Sequence, residues 1–320
     1  MRTRQLGYTD LELTTVGFGT FAAGGEGWQF SWGPQDDRET IAAIARAVEN
    51  GVNWIDTAAV YGLGHAEEVV AKALKEIKAP VIVATKCGRR EGPDKKLVGD
   101  LDPKFLRKEC ENSLRRLGLE RIDLYQVHWP LPDEGIEAGW AEIAKLVKEG
   151  KVRYAGVSNF SVAQLKRAQA IHPVASSQPL YNMMRRQIEG EHLPFCKQNQ
   201  IGVVAYSPLL NGLLTGAFSK ERIAKLPPTD FRTRAAQFQE PEVSRTLAAV
   251  EKLKAIAAQA GLTCSQLAIA WILRREEVTS AIVGARKPAQ IDETARAGDV
   301  VLGEDVLREI EGVLQEWARN

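Results

Sequence analysis

The sequence has few residues of the kinds that build metal centres or covalent cross-links. Among 320 residues there are four cysteines and four histidines. The cysteines are Cys87, Cys110, Cys196 and Cys264, and no two of them form a CxxC pair. A metal cluster would require closely spaced ligands, and a disulfide framework would require paired cysteines. Neither kind of site is expected.

Charge of one sign is also scarce, since 42 lysines and arginines balance 41 aspartates and glutamates for a formal net charge of +1. Such a balance provides no overall field for holding nucleic acid or an anionic membrane. No uninterrupted apolar run reaches the roughly 18 residues of a membrane span, and the N-terminal MRTRQLGYTD lacks the apolar segment of a signal peptide. We expect a cytoplasmic protein with a small-molecule partner.

Short β-branched runs alternate with amphipathic helical stretches along the chain, which is the pattern of repeated βαβ units and a parallel sheet. Three joints repeat one arrangement, in which a helix ends at Gly51, Gly118 or Gly150 and a strand follows. Eight strands are predicted: TVGFG, VNWID, VIVAT, IDLYQVH, RYAGVS, ASSQ, VVAYS and TSAIV. Eight strands close a barrel, whereas six would favour an open doubly wound sheet. The expected fold class is α/β, a (β/α)8 TIM barrel forming one domain over residues 1–320.

Three segments lie outside the repeated units. Extra helices are predicted at 241–259, with a continuation at 263–275 before the last strand, and at 304–318 at the C-terminus. The C-terminal helix has an apolar stripe that should lie against the barrel, formed by Val306, Ile310, Val313, Leu314 and Trp317. The stretch 216–240 has little periodicity, and we expect it to be a long loop over the strand-end face.

The segment GFGTFA, from Gly17 to Ala22, matches the dinucleotide fingerprint of open α/β sheets. That fingerprint requires a helix to begin there, but a glycine- and tryptophan-rich loop follows instead, so no Rossmann unit is predicted. The aromatic residues of this loop either line a pocket or pack on neighbouring helices. A partly aromatic substrate pocket is expected from Trp28, Phe30, Trp32 and Trp129.

Four polar side chains fall at or just beyond predicted strand ends. Asp56 ends one strand, Tyr61 follows in the next loop, and Lys86 and His128 come at the ends of two later strands. Side chains from the strand ends of a parallel barrel converge on one face, where the active site lies. Each of the four has an ordinary structural explanation by itself, but together they indicate a proton donor with the groups that tune it.

A phosphate site is predicted after the last strand. Gly284 leaves the strand, Arg286 and Lys287 bring two positive charges, and Pro288 suits the first position of a helix. Barrels often bind phosphate with the loops that follow their seventh and eighth strands. A solvated turn is the structural alternative for this segment.

Together with GVSNF, SSQPLYN, VAYSPL and GARKPAQ, in this order, the four strand-end residues give the chain a resemblance to the aldo-keto reductase superfamily over nearly its whole length. The segments IDTAAVYGLGHAEEVV and GARKP most resemble the bacterial branch that includes the general-stress and inositol-associated reductases. The resemblance implies reversible, NADPH-dependent reduction of an aldehyde or ketone to an alcohol, on a barrel that binds the cofactor without a Rossmann unit.

The resemblance also implies the roles of the four residues. Tyr61 would give a proton to the carbonyl oxygen as hydride reaches the carbonyl carbon. A free tyrosine has a pKa of about 10, and the Lys86 cation is expected to lower the pKa of Tyr61. Asp56 would pair with Lys86. His128 would orient the carbonyl oxygen or help to move the proton.

A set of NADPH contacts follows from the same resemblance. Ser158, Asn159 and Gln178 would bind the carboxamide, Tyr206 would stack on the nicotinamide ring, and Arg286 would bind the 2′-phosphate. The other implied contacts are Gly19, Thr20, Phe21, Ser207, Pro208, Leu209, Gly212, Gly284, Gln290 and Glu293. A guanidinium binds a phosphate through two hydrogen bonds, so Arg286 favours NADPH over NADH.

Two alternatives belong to other functional classes. Potassium-channel β-subunits are similar to this chain and serve chiefly as regulatory partners, but they generally carry Asn at the position of His128. A glycosidase or an aldolase on the same barrel would need a carboxylate pair or a Schiff-base lysine at the strand ends. Lys86 could form an imine, but Asp56 and Tyr61 beside it suit proton donation better.

Overall fold

The structure, a computed structural model, describes residues 1–319. Within these residues the strands are β1 (Thr3–Gln5), β2 (Glu12–Thr14), β3 (Val16–Gly19), β4 (Trp54–Asp56), β5 (Ile82–Cys87), β6 (Arg89–Glu91), β7 (Leu97–Gly99), β8 (Ile122–Val127), β9 (Val152–Ser158), β10 (Ser176–Gln178), β11 (Gly202–Ala205) and β12 (Val278–Gly284). Strands β3, β4, β5, β8, β9, β10, β11 and β12 close into one parallel barrel in chain order. The predicted TIM barrel is confirmed, and each of its eight predicted strands is present.

Helices cover the outside of the barrel. In residues 1–319 they are α1 (Asp37–Glu49), α2 (His65–Glu76), α3 (Pro103–Leu117), α4 (Ile136–Lys148), α5 (Val162–Gln169), α6 (His192–Gln198), α7 (Lys220–Ala224), α8 (Glu242–Gln259), α9 (Cys264–Leu273), α10 (Pro288–Thr294) and α11 (Glu304–Arg319). The predicted extra helices correspond to α8, α9 and α11. None of these helices is by itself long and apolar enough to cross a membrane, and only α8 and α9, joined at an 87° bend, reach that length and apolarity together.

The ends of the helices follow local sequence rules. The Asp102 side chain accepts hydrogen bonds from two backbone N–H groups in the first turn of α3, and Pro103 occupies the first helical position. The same helix stops at Gly118, which has a φ of 67° that other residues adopt only with strain. Gly51 and Gly150 are also left-handed, with φ of 86° and 78°. The three predicted helix-to-strand joints are confirmed.

Two short hairpins lie outside the predicted strand pattern. The pair β1 and β2 packs Leu6, Leu11 and Leu13 against the inward-facing Trp54 and Leu124, so it fills one end of the barrel interior. The pair β6 and β7 follows β5 and stands at the opposite end. Because each of these strands has only three residues, none shows a recognisable period.

The segment 216–240 crosses the strand-end face, as predicted, but it is more regular than a plain loop. It contains α7 and two 3₁₀ turns. The backbone N–H of Phe231 donates to the Ser31 carbonyl at 2.8 Å, which joins this segment to the loop after β3. Elsewhere, α11 buries Ile310 and Leu314 of its predicted stripe.

Candidate active site

A cavity of about 660 Å³ opens at the C-terminal ends of the barrel strands. Strand ends, the loop after β3 and the segment 216–240 line it. The predicted site residues line this cavity with four exceptions. Lys86 and Thr20 are buried, and Lys287 and Pro288 of the predicted phosphate site lie outside the cavity lining, with Lys287 exposed. The Thr20 hydroxyl donates to the Asp56 carbonyl at 3.1 Å, so it supports the site from within and does not face a ligand.

Lys86 is the centre of a buried polar cluster. Its Nζ lies 2.5 Å from Asp56 Oδ1, 2.9 Å from the Thr57 carbonyl and 3.3 Å from the Tyr61 hydroxyl. The Lys86 side chain is completely buried. The second Asp56 oxygen accepts a hydrogen bond from Gln178 Nε2 at 2.9 Å. Both Asp56 oxygens therefore have partners, as a buried carboxylate requires.

Strand register and one close loop contact bring these residues together. Asp56 ends β4, which pairs with β5, where Lys86 is the next-to-last residue. Tyr61 begins a 3₁₀ turn that runs to Gly64. Within this turn Gly62 has φ of 59°, and a Cβ placed on it would lie 2.3 Å from the Gly24 carbonyl oxygen. Glycine is needed here because the loops after β3 and β4 touch through their backbones.

The direction of the Tyr61 pKa shift differs from the expectation. Burial raises the pKa of the Tyr61 phenol well above its ordinary value, the Asp56 charge raises it further, and Arg89 lowers it. The expected lowering by Lys86 is not found, because burial and the Asp56 charge set the direction of the shift. Tyr61 is consequently protonated at neutral pH.

His128 stands beside Tyr61, with ring centroids 5.7 Å apart and planes at 76°. Burial lowers the pKa of His128 well below its ordinary value, and the charges of Lys86 and Arg89 lower it further. Its ring is therefore neutral at pH 7 and can form a hydrogen bond to a substrate oxygen without adding charge. The His128 carbonyl accepts a hydrogen bond from Asn159 Nδ2 at 3.0 Å.

Polar residues after the later strands continue along the cavity. Asn159 Oδ1 accepts a hydrogen bond from the Tyr206 hydroxyl at 2.9 Å, and the Ser158 hydroxyl donates to the Gln178 carbonyl at 2.8 Å. Several cavity residues have left-handed backbone conformations that are unusual outside glycine: Asn159, Ser207, Leu210 and Asn211, with φ of 62°, 55°, 48° and 53°. Such strain is concentrated at ligand-binding sites, where the surrounding structure maintains it.

The far end of the cavity is built by the segment after β12. Arg286 Nε donates to Gln35 Oε1 at 2.6 Å, and Arg286 Nη2 donates to the Pro34 carbonyl. Gln290 Oε1 accepts the backbone N–H groups of Arg286 and Lys287, so it caps the start of α10. Arg286 is thus held half-buried at the cavity wall.

Aromatic rings form the wall opposite the strand ends. Phe21 is their common neighbour, with centroid distances of 5.0 Å to Trp28, 5.1 Å to Tyr61 and 5.7 Å to Trp32. Phe30 lies 6.1 Å from Trp28. The open question about the first loop is answered by this arrangement: its aromatic residues line the cavity.

Several cavity residues have no counterpart in the sequence prediction. Arg232 forms an ion pair with Asp230 at 2.6 Å, and its guanidinium carbon lies 4.5 Å from the centroid of the Trp32 ring. Arg89, at the start of β6, also lines the cavity, as does Asn211. Nothing local distinguishes these residues, because their importance comes from loops that meet in space. Within residues 1–319 no group of three or more His, Cys, Asp or Glu side chains could hold a metal ion.

Comparison with known proteins gives one consistent family. The family model described as "Aldo/keto reductase family" matches residues 15–315. The aldo-keto reductase YhdN of Bacillus subtilis (strain 168) is 36% identical over 310 residues, which cover 96% of this chain and 92% of the relative. An Escherichia coli (strain K12) protein named NADH-specific methylglyoxal reductase is 33% identical over 318 residues, with 95% of each chain covered. The structure of the glycerol dehydrogenase AKR11B4 from Gluconobacter oxydans aligns with a TM-score of 0.89 at 35% identity, covering 99% of this chain and 96% of that one.

Proposed function

This chain belongs to the aldo/keto reductase family, and from that premise we propose that it reduces aldehydes or ketones to alcohols with NADPH, using Tyr61 as the proton donor. One observation carries the proposal: the Tyr61 hydroxyl lies 3.3 Å from the buried Lys86 ammonium, at the wall of the strand-end cavity. We also propose that the whole chain works as a single barrel domain.

The family uses a nicotinamide cofactor, which supplies hydride to the carbonyl carbon when it is bound. As negative charge develops on the carbonyl oxygen, a positioned acid must provide a proton. The Tyr61 phenol is protonated before reaction because burial raises its pKa. Once the phenol has given up this proton, the Lys86 ammonium stabilises the oxygen charge, since the two atoms are in direct contact.

The other two residues complete the proposed site. Asp56 keeps Lys86 charged and fixed in position, because a buried ammonium without a partner would lose its proton or move. Neutral His128 forms a hydrogen bond to the carbonyl oxygen and orients it towards Tyr61. Phe21 and Trp28 exclude water from this end of the cavity.

The residues present fit a dinucleotide. Gln178 and Asn159 would bind the carboxamide, Tyr206 would stack on the nicotinamide ring, and the strained backbone from Ser207 to Gly212 would bind the pyrophosphate. Arg286 would bind a 2′-phosphate at the far end of the cavity. The proposed NADPH preference rests on this arginine. Membership of the family does not by itself fix the cofactor, since one relative is named as NADH-specific.

A screen of aldehydes and ketones, followed by the loss of NADPH or NADH absorbance, tests the proposal. We expect turnover by the wild-type protein with several carbonyl compounds, faster with NADPH, and strongly reduced turnover in Tyr61→Phe. Tyr8→Phe provides a matched control because Tyr8 is exposed and does not line the cavity. Equal activity of all three proteins would remove Tyr61 from its proposed role.

A further inference from the structure

Arg89 lines the cavity from the base of a short hairpin. It is the first residue of β6 and pairs with Gly99 of β7. Its neighbour Arg90 is exposed and forms an ion pair with Asp100 at 2.7 Å. Consecutive residues of a strand face opposite sides. Arg89 therefore faces the cavity, whereas Arg90 faces solvent.

The guanidinium of Arg89 has few partners for a charged group in this position. Its Nη2 donates to the Leu97 carbonyl at 3.0 Å, and its guanidinium carbon lies 5.9 Å from the Trp129 ring centroid. Its Nε is buried and has no hydrogen-bond partner among residues 1–319. No carboxylate oxygen of that described part lies within 4.0 Å of the Arg89 guanidinium.

Two other arginines of the cavity differ in this respect. Arg185 pairs with Glu242, and Arg232 pairs with Asp230. Their charges are compensated within the protein, whereas the charge of Arg89 is not. A buried donor without a partner costs free energy, and such a group in a functional site is expected to find its partner on a ligand.

The reacting end of the cavity is therefore positively charged. The Asp56 charge is compensated by Lys86, and His128 is neutral. Burial lowers the pKa of Arg89 but leaves it a guanidinium, because arginine does not lose its proton in proteins. Arg89 contacts Leu97 and Trp129 and shares the cavity lining with the apolar side chains of Trp28 and Phe30, so an ionic contact here is stronger than it would be in water.

We propose that Arg89 binds a carboxylate on the substrate, so that the preferred substrates of this enzyme are carbonyl compounds that also carry a carboxylate. The proposal rests on the proposed function for the reduction itself. The carboxylate accepts hydrogen bonds from the part of the Arg89 guanidinium that lines the cavity, and the apolar body of the substrate lies against Trp129 and the aromatic wall.

Two substrates that carry the same aldehyde and differ only in the carboxylate test the proposed role of Arg89: para-formylbenzoate and its methyl ester. We expect the wild-type protein to have the higher kcat/KM for the acid. Arg89→Met should lower kcat/KM for the acid by about 30-fold, mainly through KM, because a hydrogen bond to a charged group is lost. Loss of the Arg89 charge also acts on Tyr61 and His128, but that effect is common to both substrates, so kcat/KM for the ester should fall much less than kcat/KM for the acid. Arg89→Lys should retain part of the preference for the acid.

Arg90→Met is the matched control, since it removes the same charge from the neighbouring position. Arg90→Met should leave kcat/KM for both the acid and the ester unchanged. Equal kcat/KM of the wild-type protein for acid and ester, or equal losses for both in Arg89→Met, would overturn the proposal while leaving carbonyl reduction intact. Failure of the wild-type protein to reduce either compound, or any other aldehyde or ketone of the screen, would instead count against the proposed function.

Calorimetric titration with benzoate gives a readout that does not depend on turnover. Benzoate carries the carboxylate and the ring but no reducible carbonyl, and benzamide provides the neutral comparison. We expect benzoate to bind the wild-type protein and the Arg90→Met variant and not Arg89→Met. Benzoate binding that is unchanged in Arg89→Met would refute the carboxylate site even if the reductase activity is present.

Discussion

The ammonium nitrogen of Lys86 lies 3.3 Å from the Tyr61 hydroxyl and 5.0 Å from the centroid of the Tyr61 ring. The cation is therefore nearer to the phenolic oxygen than to the face of the ring. Its charge is compensated by Asp56 while the phenol is neutral. The same cation can stabilise the phenolate after proton transfer. Lys86 therefore stabilises the negative charge that develops on Tyr61 during the reaction more than it stabilises the neutral phenol before the reaction.

Tyr61→Phe should lower kcat by about a hundredfold or more, because a positioned acid typically contributes that much. NADPH binding should remain close to wild type, since the hydroxyl is not a proposed cofactor contact. Steady-state kinetics and fluorescence titration with NADPH measure the two effects. A variant with normal turnover, or one that fails to bind NADPH, would contradict the assignment.

Asp56→Asn and Lys86→Met should each destabilise the protein by about 3–5 kcal/mol, because each leaves a buried charge without its partner. The double variant should be less destabilised than the sum of the single variants, since no uncompensated charge remains. Urea unfolding of the four proteins gives the interaction free energy. Additive losses would show that Asp56 and Lys86 are not coupled.

Arg286→Ala should weaken NADPH binding by about tenfold or more and leave NADH binding nearly unchanged. Only NADPH carries the 2′-phosphate, and Arg286 is the half-buried guanidinium held at the far end of the cavity. Titration of both cofactors measures the difference. Arg38→Ala, at an exposed arginine in α1, is the control. Equal losses for both cofactors in Arg286→Ala would show that this arginine does not distinguish them.

Glu109→Gln should stabilise the protein increasingly as the pH rises from 5 to 9. Burial raises the pKa of Glu109 from 4.5 to about 8, so the folded protein holds a proton there that the unfolded chain releases. The stabilisation from this group is present below pH 4.5 and is lost as the pH rises through about 8. An amide has no such loss and can still accept the Gly88 N–H bond.

We expect Glu109→Gln to gain roughly 1–3 kcal/mol over the wild-type protein at alkaline pH. Glu111→Gln is a suitable control, because Glu111 is on the same helix but exposed and paired with Lys151. Denaturant unfolding at several pH values measures the difference. A constant difference between Glu109→Gln and the wild-type protein across this pH range would contradict the raised pKa.

Much of the barrel was predictable because its signals are local. The run ending at Asp56 and the run ending at His128 are apolar, β-branched and followed by loops, and each is a strand in the structure. Parallel strands present their carboxyl ends on one side, so the convergence of Asp56, Lys86 and His128 follows from strand order alone. Tyr61 joins them because its loop is short.

Other features depended on contacts between distant segments. The hairpin that positions Arg89 has strands of three residues, too short for any periodic pattern. The direction of the Tyr61 pKa shift is set by burial under Phe21 and Trp28, which belong to another loop. Thr20 follows a strand end, as a ligand-binding residue could, yet it is buried beneath Asp56.

The order of strands and helices and the placement of polar groups at the strand ends follow from local patterns in the amino-acid sequence, because hydrophobic periodicity and helix caps involve only a few neighbouring residues. Which charges are compensated depends on the folded chain: Asp56 pairs with Lys86 and Asp230 pairs with Arg232, whereas Arg89 has no carboxylate partner within residues 1–319. Electrostatic free energy depends on distance and on exclusion of water, and both are properties of the folded chain.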